Sequence, residues 1–328
     1  MGEFDLIRQY FQRPVRHAAL GIGDDCALLQ PATGCQIAVS SDMLVQGTHF
    51  FADADPYLLG HKALAVNLSD LAACGARPLA FTLALALPAA DPSWLAPFSR
   101  GLLALADRHD CELVGGDTTR GPLNICITVF GKVPAPGGRS QALLRSGARA
   151  GDDIYVSGTL GDARLALEAI GGQWALPDAL FERAGARLHR PDPRVALGQA
   201  LRGLASSAID ISDGLLGDLG HVLTASGVGA RLDAACLVER IACRGAALDA
   251  VVPPQHQLHC ILAGGDDYEL AFTAAADQRE AVAEAAQACA TPVNRIGTVT
   301  AARGLQVVDA RGAAITGPWA SFDHFDGT

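Results

Sequence analysis

Apolar residues in this chain fall into short blocks, most of them closed by glycine, proline or aspartate. The block CQIAVSSDMLV (35–45) reads as a strand that ends on Ser40, Ser41 and Asp42. DPYLLGHKALAVNLSDLAACG (55–75) reads as a helix, with Asp55 as its cap, Pro56 in its first turn and Gly75 at its exit. LAFTLALAL (79–87) is too short to span a bilayer and reads as a buried strand. A helix near 93–109, the strand CELV, the turn GGDTTRG (115–121) and the strand LNICITVFGKV follow. Residues 134–151 are rich in Gly, Pro and Arg and read as a linker. Beyond it the pattern predicts strands at DIYVSG, SAIDI, YELAFT and VNRIGTVT. Helices are expected after TLGD, from Arg194, after SDG and near 278–289. Strands alternate with helices in both halves, which predicts two α/β domains, residues 1–138 and 139–328.

Composition narrows the class. Half of the 328 residues are hydrophobic and 18% are charged, the reverse of a disordered chain. The net charge is −10 without a Lys/Arg cluster, which argues against a nucleic acid or an anionic membrane as partner. The nine cysteines are scattered without a C-x-x-C pair, as in a reduced cytoplasmic protein, and no zinc site is expected. The N-terminal MGEFDLIRQYF lacks the apolar core of a secretion signal.

The candidate chemistry is carboxylate chemistry. Neither Lys62 nor Lys132 sits in a Walker loop, and Cys26 stands where a Rossmann loop needs its third glycine. A glycine-acid theme recurs in GIGDD, GGDTT, AGDD and AGGDD; turn chemistry accounts for Asp152 and Asp153. Asp70 lies on a mostly apolar helix with Asn67 one turn back on the same face, so an ionised carboxylate there needs a cation or strong donors. Taken singly, Asp42, Asp117, Asp210 and Asp213 read equally well as caps or turn residues around Ser212 and the glycines. Taken with Asp25 and Asp70 they form a set at strand ends, turns and one helix face. Gathered at one place, such carboxylates repel one another unless Mg²⁺ ions neutralise them, and those ions would bridge to the phosphates of ATP. On this reading the pair Asp24–Asp25 holds metal, not phosphate. His49, in LVQGTHFF, reads as structural or as a substrate contact.

The stretches GIGDDCALL, SSDMLVQGTHF, KALAVNLSDLAACGARP, GGDTTRGPL, LLRSGARAGDDIYVSGTLGD, AIDISDGLLGDLGH, GGDDYELAFT and FDHF together resemble the thiamine-monophosphate kinase family, in family order along nearly the whole chain. The resemblance implies ATP-dependent phosphorylation of thiamine monophosphate to thiamine diphosphate. It also implies a two-domain α/β fold of the aminoimidazole ribonucleotide synthetase kind and a homodimer formed through the N-terminal halves. Carried over by position, it implies Mg²⁺ ligands at Asp25, Ser40, Ser41, Asp42, Asp70, Asp117, Asp210 and Asp213. It implies ATP contacts at Gly116, Asp117, Arg145 and Ser212, and substrate contacts at His49, Asp266 and Phe322. The family usually has Glu where Asp266 stands and often Tyr where Phe322 stands. The competing readings are another ATP-using synthetase of the wider superfamily and a non-catalytic nucleotide-binding relative.

Overall fold

A computed structural model describes residues 2–22, 26–317 and 319. Asp25 and Phe322, like Asp24, lie outside the described residues. The chain divides into two compact units: residues 1–71 with 76–142, and residues 72–75 with 143–328.

The first unit contains α1 (Glu3–Tyr10), β1 (Cys35–Val45), α2 (Pro56–Ala73, whose end falls in the second unit), β2 (Arg77–Leu87), α3 (Pro92–Arg108), β3 (Glu112–Arg120) and β4 (Asn124–Pro134). The sequence signals for α2 act as expected. The Leu58 N–H donates to Asp55 Oδ1 at 3.0 Å, and Gly75 leaves the helix at φ 67°. Helices α2 and α3 touch through glycines: a Cβ on Gly60 would lie 2.1 Å from the Phe98 carbonyl oxygen, and one on Gly101 would lie 1.9 Å from that of Tyr57.

The sheet order is β1-β4-β2-β3, antiparallel except for the parallel pair β2/β3. One face carries Leu44, Ile125, Ile127 and Val129 into the core. On the other face the β1 side chains of Ile37, Val39 and Met43 stay exposed, at 37%, 59% and 55%. The expected turn GGDTTR is a correction: β3 runs straight through it beside β2, with Gly116 opposite Leu83. The glycines permit close backbone approach here and do not make a reversal.

The second unit contains β5 (Asp153–Ser157), α4 (Asp162–Ile170), α5 (Asp178–His189), α6 (Val195–Ala200), β6 (Ala205–Asp210), α7 (Leu215–Ser226), β7 (Gly229–Asp233), α8 (Ala234–Leu237), α9 (Ala246–Asp249), α10 (Pro254–Ala263), β8 (Leu270–Ala274), α11 (Arg279–Ala288), β9 (Val293–Thr300), β10 (Gly304–Val308) and β11 (Ala314–Ile315). Its sheet order is β11-β10-β7-β9-β5-β8-β6, and only β10/β7 is parallel among the described pairs. Alternation of strands and helices therefore does not produce a parallel sheet here, and the rule that ligands gather at the carboxyl ends of parallel strands loses its footing. Ile154, Val156, Leu165, Ile209, Leu219 and Ile261 belong to the core of this unit.

Asp153 is a further correction. It is not a turn residue but the buried first residue of β5, where Arg279 and Arg295 clamp its two oxygens.

Candidate active site

Strand alternation places Ser40 and Asp42 on the face of β1 that α2 covers. From α2, Asp70 meets them: the Ser40 hydroxyl donates to Asp70 Oδ2. One turn earlier, Asn67 accepts the Asp42 backbone N–H on Oδ1 at 3.0 Å and donates through Nδ2 to the Ala63 carbonyl at 3.0 Å. Asn67 is buried, so with both bonds made it is a fixed strut between helix and strand. Ser41 belongs to the other face. Its hydroxyl donates to the Ile127 carbonyl at 3.1 Å and lies 3.0 Å from the Thr128 hydroxyl, so its side chain does not join Ser40, Asp42 and Asp70.

The chain folds back after β1, and His49 is half-buried there. Its Nδ1 accepts the Val45 N–H at 3.0 Å, which places the proton of the neutral ring on Nε2.

Asp117 is not brought to this cluster within one copy. The pairing runs from Asp42 to Ile127, Leu83 and Gly116, so Asp117 stands three strand spacings away. At the usual spacing that is about 14 Å. Asp117 also shares its row with Ala84, Cys126 and Met43, on the exposed face.

In the second unit β6 ends at Asp210, and the segment Ile211–Gly214 leads into α7. Neither Ser212 nor Asp213 caps that helix. Instead Asp218 Oδ2, in the first turn, accepts the backbone N–H groups of Ser212, Asp213 and Gly214 at 3.0, 3.1 and 3.1 Å. Burial, with the charge of Asp213 behind it, pushes the Asp218 carboxyl up to about 6. The Gly264–Tyr268 stretch is stitched to the same segment: Asp266 N donates to the Ser212 carbonyl and Tyr268 N to that of Ile211, both at 2.8 Å. Asp266 and Tyr268 hold positive φ of 65° and 50°, and the Tyr268 hydroxyl donates to Asp266 Oδ1 at 3.1 Å. Ser212, Asp213 and Asp266 therefore come together. Next in the chain, Glu269 is fully buried and gripped by Arg187 and Arg194, which anchors the start of β8. Arg145 is exposed, and its carbonyl accepts from Ser226 Oγ at 3.3 Å.

Sequence reasoning missed Asn67 as a strut and Asp218 as the anchor of the 212–214 turn. A usable signal existed for Asp218: an acid four residues after Gly214, in the first turn of the helix that the 212–214 turn enters.

The Mg²⁺ expectation can be tested on donor chemistry. In the first unit Ser40, Asp42 and Asp70 present hydroxyl and carboxylate oxygens only, from a strand and a helix; in the second unit Asp210 and Asp213 likewise present carboxylates. Hard oxygen donors of this kind suit Mg²⁺ and not a soft metal.

Comparison with known proteins places the chain in a family. Residues 23–133 match the family of the AIR synthase related protein, N-terminal domain, and residues 149–310 match its C-terminal domain. Thiamine-monophosphate kinase of Escherichia coli (strain K12) is 47% identical over 330 residues, covering 99% of this chain and 98% of that protein. The chain belongs to the thiamine-monophosphate kinase family. Among members of this family with solved structures, the crystal structure of thiamine-monophosphate kinase from Stenotrophomonas maltophilia K279a is 48% identical with a TM-score of 0.82, covering 91% of this chain and 92% of that one. AaThiL complexed with AMPPCP and TMP is 26% identical with a TM-score of 0.75, covering 90% and 89%. The mixed helix-and-sheet, two-domain fold of this kinase family is the fold of this chain.

Proposed function

We propose that this chain transfers the γ-phosphoryl group of ATP to thiamine monophosphate, giving thiamine diphosphate and ADP. The observation that carries this reading is the full-length identity to the E. coli kinase. Support for the two substrates comes from AaThiL, whose complex holds AMPPCP, an ATP analogue, together with TMP, read as thiamine monophosphate.

Mg²⁺ is part of the proposal. Ser40, Asp42 and Asp70 would hold it with Asp25, Asp117, Asp210 and Asp213, and the bound ions would offset repulsion between the donor and acceptor phosphates. The residues of the chain then have limited tasks. An anionic oxygen of the acceptor phosphate attacks the γ-phosphorus in line, the bond to the ADP oxygen breaks, and that oxygen keeps the electron pair. No proton has to move, so no general base and no covalent phosphoenzyme are required. Gly116, Arg145 and Ser212 contact ATP. His49, with its Nε2–H, and Asp266, whose carboxylate attracts the permanent thiazolium cation, orient the acceptor, together with Phe322.

The second unit completes the site with Asp210, Ser212, Asp213 and Asp266, while the first supplies dimerisation as well as metal and nucleotide contacts. The homodimer is supported by the exposed Ile37, Val39 and Met43 on one sheet face. It is supported too by the separation of Asp42 from Asp117, which leaves a centre using both residues dependent on a second copy. No described helix is long and apolar enough to cross a membrane. A cytoplasmic location suits the nine free thiols.

The purified chain is incubated with Mg²⁺-ATP, with and without thiamine monophosphate, and the products are separated. Thiamine diphosphate formed one-for-one with ADP is expected. ATP hydrolysis that ignores the acceptor would point to a synthetase with another substrate.

A further inference from the structure

In the second unit, helices α4 and α10 turn three different donor atoms toward one point. Glu168 lies in α4; His256 and Cys260 lie four residues apart on α10 and so share one helix face. His256 Nε2 is 2.6 Å from Glu168 Oε2, and Cys260 Sγ is 3.8 Å from the same oxygen. All three donors fall within 4.8 Å of one another. Glu168 and Cys260 are buried, while His256 keeps an exposed edge that leads inward from solvent. Around them, Arg164 Nε donates to Glu168 Oε1 at 2.7 Å, Trp174 Nε1 donates to Oε2 at 3.0 Å, and the Trp174 ring lies against the His256 ring.

We propose that Glu168 Oε2, His256 Nε2 and Cys260 Sγ form a metal site, separate from the Mg²⁺ residues, for a divalent transition ion of the Zn²⁺ type that clasps α4 to α10. The ligand set selects the ion. A thiolate and an imidazole beside a single carboxylate oxygen suit Zn²⁺ and its neighbours, whereas Mg²⁺ prefers oxygen throughout. Around a tetrahedral Zn²⁺ such donors stand about 3.3–3.6 Å apart. The Glu168–His256 pair must open by roughly 0.7 Å and the thiol must close on Glu168 Oε2 by a few tenths of an ångström. Arg164 and Trp174 remain as outer partners that orient the carboxylate.

On binding, the Cys260 S–H bond breaks and a sulfur–metal bond forms. The thiol proton leaves to solvent, and the imidazole binds through Nε2 with its ring proton on Nδ1. Without the ion, burial and then Glu168 push the Cys260 thiol well above its ordinary range, so the sulfur stays a neutral thiol. Cysteine spacing gave no hint of this site because the fold, not a C-x-x-C pair, supplies the third ligand.

The test uses the full chain with millimolar Mg²⁺ present, titrated with Co²⁺ and then with Zn²⁺. One equivalent of Co²⁺ is expected to give a near-ultraviolet thiolate-to-cobalt band, which one equivalent of Zn²⁺ abolishes. The oxygen-only Mg²⁺ residues cannot produce that band, so its appearance does not depend on the kinase reading. Cys260→Ser should remove it. His256→Ala, at a partly exposed position, should weaken binding at least about tenfold, as much as loss of an outer partner alone does. Far-ultraviolet circular dichroism checks that each variant is folded. A band that survives in folded Cys260→Ser would place the metal on other thiols and overturn the proposal, as would a wild-type chain that gives no band.

Discussion

Asp218 holds three backbone N–H groups of the turn that carries Ser212 and Asp213. Asp218→Ala strands those donors in a buried setting, at about 1 kcal/mol or more each. The turn should loosen, raising the Mg²⁺-ATP concentration needed for half-maximal rate roughly tenfold, whereas Asp218→Asn, which keeps one acceptor oxygen, should lie between. Equal KM values in all three proteins, measured by varying Mg²⁺-ATP at saturating acceptor, would remove Asp218 from a positioning role. The two serines give a sharper contrast. Ser40 bonds Asp70, while Ser41 bonds the β4 backbone on the opposite face. Ser40→Ala should therefore cost at least about 2 kcal/mol of transition-state stabilisation, some thirtyfold in kcat/KM, and Ser41→Ala under 1 kcal/mol. The separation of Ser40 from Ser41 was legible in principle, since neighbours on a strand face opposite ways, but motif matching alone groups them. Asp70 and Asn67 were legible together because helical spacing puts them on one face. What that spacing could not show is that Asn67 reaches across to the Asp42 backbone, a contact set by tertiary packing.

Elements built from strong local signals were the legible ones. Asp55, Pro56 and Gly75 bracket α2, and the apolar run 79–87 falls inside β2. GGDTTR misled because glycine pairs usually mark reversals, yet here they serve close packing. A Cβ on Gly116, at φ 144°, would lie 1.9 Å from the Leu83 carbonyl oxygen. Gly116→Ala must push β3 off β2 and should cost about 2–4 kcal/mol, read as a lowered urea midpoint. In the second unit the strand order was invisible because antiparallel pairing depends on contacts far apart in sequence. Asp153 shows the same limit: nothing near it announces Arg279 and Arg295. Burial alone would raise its carboxyl, but those guanidiniums outweigh it and hold the carboxyl below the ordinary range. An acid whose folded pKa is depressed stabilises the fold above the unfolded pKa of about 4 and loses that contribution as pH falls through the folded value. Urea midpoints of the wild-type chain should therefore drop on acidification below about pH 4. Asp153→Asn should be weaker at neutral pH but flatter across that window, and parallel curves for the two proteins would contradict the ion-pair account.

At the scale of the whole molecule, the first unit's sheet ends in two edge strands, β1 and β3, and its uncovered face carries exposed apolar side chains. Exposed edges and apolar faces of this length invite a partner or aggregation, and a symmetric pair of copies is the common resolution. Asp42 and Asp117 sit at these opposite edges and on opposite faces, so within one copy they cannot ligate the same ion. If both serve one reaction, Asp117 must act on the Asp42 cluster of the second copy. This makes a prediction that neither a structural role nor a same-copy site shares. Asp42→Asn and Asp117→Asn homodimers should each lose about 3 kcal/mol of transition-state stabilisation, more than a hundredfold in rate. Co-expressed, the two chains pair at random, and half of the dimers are mixed. In a mixed dimer one site takes Asp42 from one chain and Asp117 from the other and is intact, while its twin lacks both. Activity should therefore return to about a quarter of the wild-type value. If Asp42 and Asp117 worked in the same copy, every site in the mixture would lack one of them. Tagging the two chains differently and purifying the mixed dimer separates the cases: recovery to about half of wild type per dimer supports sharing between copies, and activity no higher than the single variants refutes it.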